Sequence, residues 1–102
     1  MNNGHKTLQA WREEIDAIDT ELLRLLNQRA AIACEIASIK VASGLPAHDP
    51  QREKQVLASI NAANHGPLDG QSVTAIFTNI IHETRRLGTQ RMQENGTAAV
   101  ST

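Results

Sequence analysis

An unbroken heptad seam limits what this chain can fold into. Leu8, Trp11, Ile15, Ile18, Leu22, Leu25, Arg29, Ile32, Ile36 and Ile39 fall at alternating steps of three and four. That spacing keeps side chains on one stripe of an α-helix and suits the stripe for packing on another helix. No Pro or Gly interrupts the chain between residues 5 and 43, and Gly44 and Pro46 close the segment. The pattern predicts a helix over residues 6–42, about 55 Å long at about 1.5 Å per residue. A compact chain of 102 residues has a radius of gyration of about 13 Å and is about 33 Å across. A helix so much longer than the globule cannot bury its seam against its own chain. A second copy of the same helix is the obvious partner, so the expected assembly is an intertwined helical homodimer.

Two shorter helices follow. Asp49 is a strong N-cap residue and Pro50 suits the first helical position. Val56, Leu57 and Ile60 give that helix an apolar stripe, and His65-Gly66-Pro67 reads as its stop, with Gly66 free to adopt a left-handed cap. The third helix opens near Asp69 and carries Val73, Ile76, Phe77, Ile80, Ile81, Thr84 and Leu87 at helical spacing, with Gly88 weakening its end. No segment alternates with period two, so the fold is expected to be all-α, with three helices per chain. Residues 1–5 read as a flexible N-terminus and residues 6–91 as the folded domain. The small polar residues of 92–102 read as a disordered tail.

Composition removes several kinds of function. Lys and Arg total 10 against 11 Asp and Glu, a net charge of -1, and there is one Phe, one Trp and no Tyr. A nucleic-acid binder usually needs a basic excess or aromatic platforms, and this chain has neither. Cys34 is the only cysteine; it can form no intrachain disulfide and reads as a small core residue. His5, His48, His65 and His82 fit no metal-ligand spacing and read as surface residues. Neither a metal nor a cofactor is expected. No apolar run suits a membrane span or a signal peptide, so a cytoplasmic protein is the expectation.

The informative residues are polar ones on apolar faces. Arg29 occupies the seam itself. A buried guanidinium is costly without a partner, so it either pairs with a Glu of the opposing helix or binds an anion in a cavity. Lys40 follows eleven residues later, about three helical turns, and projects within about 20° of the same direction. Taken alone, it could equally be a solvated lysine at a helix end. Asp49, Arg52 and Glu53 share one face at the start of the second helix, which suits either a cap with surface charges or a binding site. Thr84 interrupts the third stripe, where a hydroxyl often bonds back to its own helix. Arg12 flanks the seam about 25 Å along the axis from Arg29, too far for the two to meet within one chain.

Several of these stretches resemble one family. Residues 11–19 (Trp11 to Asp19), Leu22 to Arg29 and Ile36 to Lys40 are similar to the first helix of the small all-helical, AroQ-type chorismate mutases. Asp49-Pro50-Gln51-Arg52-Glu53 resembles that family's second-helix opening, and Ile76-Phe77 with Ile80-Ile81 its third helix. The likeness covers residues 8–87. It implies rearrangement of chorismate, a dicarboxylate, to prephenate in aromatic amino-acid biosynthesis. It also implies catalytic roles for Arg29, Lys40 and Arg12, with Arg12 donated to the other chain's site. Lys40 would contact a carboxylate and the ether oxygen. Asp49, Arg52, Glu53 and Thr84 would bind or support the substrate.

One position departs from the pattern. The family carries Gln or Glu four residues after Thr84, aimed at the breaking ether bond, and here that residue is Gly88. Gln90 could take its place only if the helix unwound at Gly88. If the position faces the site, Gly88→Gln is expected to speed the reaction and strengthen the helix. The same scaffold also serves isochorismate-pyruvate lyases and aminodeoxychorismate mutases. A non-enzymatic helical dimer, or a subunit acting with a partner enzyme of the shikimate pathway, is the remaining alternative.

Overall fold

A computed structural model describes the backbone of residues 5–100 and the side chains of residues 5–94. It contains three α-helices and, among the described residues, no strand: α1 (Leu8–Ala42), α2 (Pro50–Ala63) and α3 (Gly70–Val100). Their ends follow from local chemistry. The Thr7 side chain caps α1 by accepting from the Ala10 amide at 3.0 Å. At its other end Gly44 takes φ +69°, a value open to glycine at little cost. The Leu45 amide then donates to the Lys40 carbonyl at 2.8 Å and the Gly44 amide to Val41 at 3.2 Å, the paired bonds of a Schellman cap. Asp49 caps α2, its Oδ1 accepting from the Arg52 amide at 3.1 Å, with Pro50 at the first position. Asp69 caps α3 in the same way through the Ser72 amide at 2.7 Å. That bond holds the Asp69 carboxyl below the usual carboxylate range.

α3 is the element that joins the others. It packs on both α1 and α2, which among the described residues do not pack on each other. Small side chains set the α1–α3 spacing. A Cβ placed on Gly88 would lie 3.1 Å from the Ala33 carbonyl oxygen and 3.1 Å from the Ala37 Cβ. Gly88 is therefore buried at a helix crossing, and α3 runs through it without a break to Val100. This corrects the expectation that Gly88 weakens the end of the helix: the glycine permits close approach, and its neighbours on α1 hold the turn in place. The helix also passes the boundary placed at residue 91. The expected N-terminal flexibility falls mostly on residues 1–4, outside the described residues, as do residues 101–102 and the side chains from residue 95 onward.

The chain is a slab of 70 × 32 × 15 Å with a radius of gyration of 18.8 Å, against about 13 Å for a compact chain of this length. A thickness of 15 Å is little more than one helix diameter of about 10–12 Å. One layer of helices has no interior, and a stable core needs two. Accordingly, no residue of α1 is buried. The nine apolar seam residues from Leu8 to Ile39 are 46% to 65% exposed. Val73 is the one buried aliphatic residue among the described residues. Cys34 is half-buried rather than enclosed in a core.

Candidate active site

The second half of α1, the connection to α2, the first turns of α2 and the middle of α3 enclose a groove of about 500 Å³. Ile32, Ala33, Ile36, Ala37, Val56 and Ile81 supply apolar wall. Arg29, Lys40, Asp49, Arg52, Glu53 and Thr84 all line it as well. These are the six residues that the sequence singles out for a site within one chain. Arg29 and Thr84, 55 positions apart in the sequence, are joined by a direct bond: Arg29 Nη1 donates to Thr84 Oγ1 at 2.5 Å. Thr84 in turn donates to the Ile80 carbonyl at 2.8 Å. Its hydroxyl thus bonds back to its own helix and also fixes the guanidinium, and the side chain is 8% exposed.

Arg29 has no ion-pair partner among the described residues. Within the chain, the expected pairing with a Glu of a facing helix is not made. Desolvation pushes its pKa down, and the like charge of Arg52 adds to the push. A half-buried cation held by a neutral hydroxyl beside a second cation is an arrangement that an anion would relieve. Lys40 reaches the same groove and donates to the Ala47 carbonyl at 2.9 Å. Four side-chain cations, Arg29, Lys40, Arg52 and Arg85, face two carboxylates, Asp49 and Glu53, leaving the lining with a net charge of plus two.

Three further positions fall outside the groove lining. Arg12 lies on the exposed N-terminal half of α1. Gly88 faces α1 at the crossing described above. Gln90 bonds along the outer surface of α3, accepting from Arg86 Nη1 and donating to Glu94 Oε1, both at 3.3 Å. The helix does not unwind at Gly88, so Gln90 does not turn inward. The structure also adds residues that the sequence pattern leaves unmarked. Arg85, Thr89, Met92 and Gln93 line the groove, extending the helical face of Ile81 and Thr84, and the last two lie past the boundary placed at residue 91. His48 and His82, expected as surface residues, are exposed yet engage Glu53 at 3.5 Å and 2.9 Å. Among the described residues, no group of His, Cys, Asp or Glu has the geometry to hold a metal ion. No helix there is long and apolar enough to cross a membrane.

Residues 11–89 match the family described as "Chorismate mutase type II". This chain belongs to that family. It is 40% identical over 78 residues to the bifunctional chorismate mutase/prephenate dehydratase of Aquifex aeolicus, a match spanning 72% of this chain and 22% of that protein. The chain therefore spans about a fifth of the length of its bifunctional relatives. To the chorismate mutase of Methanocaldococcus jannaschii it is 32% identical, over 81% of this chain and 85% of that one. Among solved structures, chorismate mutase (form II) from Thermus thermophilus superposes with a TM-score of 0.80 at 34% identity, covering 82% of this chain and 96% of that one. The Helicobacter pylori chorismate mutase, solved in complex with prephenate, gives a TM-score of 0.79 at 33% identity, covering 85% and 94%. The family and the three-helix, all-α fold agree with what the sequence implied.

Proposed function

We propose that this chain rearranges chorismate to prephenate in grooves shared between two copies. The observation that carries the reading is Arg29: half-buried, without a counter-ion among the described residues, and set beside Arg52 in a groove whose lining is net positive. A substrate with two carboxylates matches that surplus of charge. In this rearrangement the ether C–O bond breaks as a C–C bond forms within one molecule, so no nucleophile or proton transfer is required. The protein's task is positioning, together with stabilising the negative charge that grows on the ether oxygen. Arg29 and Arg52 hold carboxylate, Lys40 serves a carboxylate and the ether oxygen, and Ile36, Val56 and Ile81 confine the ring. Thr84 acts through Arg29, and Asp49 fixes the first turn of α2. Gly88 offers no donor at the reacting bond.

The second copy follows from the exposed seam. Its apolar side chains cover a helix of 35 residues, and burying that stripe on its twin supplies the layer that one chain lacks. Such a pairing would carry Arg12 of the partner subunit toward the groove, which accounts for an arginine that finds no use in its own chain. Steady-state conversion of chorismate, with the products identified, tests the activity. Prephenate formation by a species of twice the chain mass is the expected result. Turnover of isochorismate or aminodeoxychorismate alone, or a fully helical monomer at micromolar concentration, would overturn it.

A further inference from the structure

Glu53 is held from three directions. His82 Nε2, on α3, lies 2.9 Å from its Oε1. His48 Nε2, in the connection before α2, and Arg85 Nη1, on α3, each lie 3.5 Å from its Oε2. His82 and Arg85 are three residues apart and so share one face of α3. The Glu53 side chain is 18% exposed, and its Oε2 is shut off from solvent while accepting no hydrogen bond. None of these three partners is used by the ligand contacts assigned above.

The grip has a consequence for the groove. Glu53 follows Arg52 directly and lines the same groove as Arg29, Lys40 and Arg52. A carboxylate free to swing there would pair with those cations and compete with an anionic ligand. Instead, among the described residues its ion pair is with Arg85, and its other close partners are His48 and His82, which carry charge only when protonated. We propose that His82 is a positioning residue: with Arg85, it holds the Glu53 carboxylate against α3 and so keeps the anion-binding cations free. The proposal rests, for its kinetic consequence, on the mutase reading above.

The groups that touch the carboxylate are His48 from the connection and His82 and Arg85 from α3, and the other titratable groups lining the same groove are Arg29 and Lys40 from α1, the capping Asp49, and Arg52 from its own helix. The hydrogen bond from His82 is the largest influence on Glu53 and holds its carboxyl below the usual range. Desolvation opposes it, and the charges of His82, Arg85 and His48 reinforce it.

The test compares the full chain with His82→Leu and His82→Gln. Leucine removes the bond, and the glutamine amide offers a donor in place of Nε2. His82→Leu should raise the KM for chorismate about tenfold, the scale of one charge-assisted bond, while kcat changes by less than about twofold. His82→Gln should recover most of the loss. A KM unchanged in His82→Leu, or no recovery in His82→Gln, would overturn the proposal. A second readout needs no turnover: titration of the Glu53 side-chain carboxyl by carbon-13 NMR. Its midpoint should lie below about 4.3 in the unaltered chain and rise in His82→Leu. If the unaltered chain does not convert chorismate, the mutase reading fails on its own, and the midpoint still decides whether His82 holds Glu53. If His82→Leu does not fold, His82→Ala takes its place, and an unmoved carboxyl midpoint there overturns the proposal.

Discussion

Replacing Gly88 by glutamine opposes two effects whose sizes can be worked from the structure. In isolation the change favours the helix, because glycine costs about 0.8–1.0 kcal/mol relative to the best helix formers. At the α1–α3 crossing, however, the new Cβ would meet the Ala33 carbonyl oxygen and the Ala37 Cβ, each at 3.1 Å. Ordinary carbon–carbon contacts lie at about 3.5–4.0 Å. One of the two obstacles is backbone, so it yields only if the helices separate. Overpacking of this kind costs about 1–3 kcal/mol, and a rigid obstacle places the cost near the top of that range. The expected net effect is a loss of about 1–2 kcal/mol. Urea unfolding followed by circular dichroism measures it, at one fixed protein concentration because association shifts apparent stability. Combining Gly88→Gln with Ala37→Gly removes one obstacle, so the pair should be less destabilised than the sum of the single changes by about 0.5–1 kcal/mol. A Gly88→Gln chain as stable as the unaltered one, or more so, would refute the close-approach reading.

Arg29→Ala should leave the helical content unchanged and reduce kcat/KM by at least about 10²–10³, the usual loss when one preorganised donor is removed. An unfolded variant would instead assign Arg29 a structural role. Asp69→Ala should lower the stability through loss of the α3 cap. The native Asp69 carboxyl lies below its ordinary value, so its contribution is full above about pH 3.9 and is lost as the pH falls through the depressed native value. Unfolding free energies of the two chains compared from pH 7 down to pH 2 should therefore converge at the acid end, and a gap that stayed constant would contradict the assignment.

Helix ends are legible in the sequence because they depend on one or two residues: Asp49-Pro50 opens α2, and Gly44 closes α1 as expected. The length of the seam is legible for a similar reason, since period and rise are properties of the chain alone. Six candidate residues from Arg29 to Thr84 stand out as polar groups interrupting apolar stripes or clustered at helix ends, and all six line the groove. Gly88 misleads because propensity describes a helix by itself, whereas its role depends on how near α1 passes. His82 carries no local signal: its partner Glu53 is 29 residues away, on another helix, and a histidine on a polar face is indistinguishable from a solvated one until the helices are placed. The end of α3 is obscured by its small polar composition. Arg85 escapes notice because it follows the polar Thr84 and lies beside the stripe rather than on it.

On the proposed function, a working groove is built from two chains. Arg12→Ala and Lys40→Ala homodimers should each convert almost no chorismate. When the two are unfolded together and refolded, each heterodimer holds one groove with both residues intact and one with neither. Prephenate formation should then return to about half the unaltered rate per heterodimer. Verified heterodimers that remain as inactive as their parents would contradict the shared site.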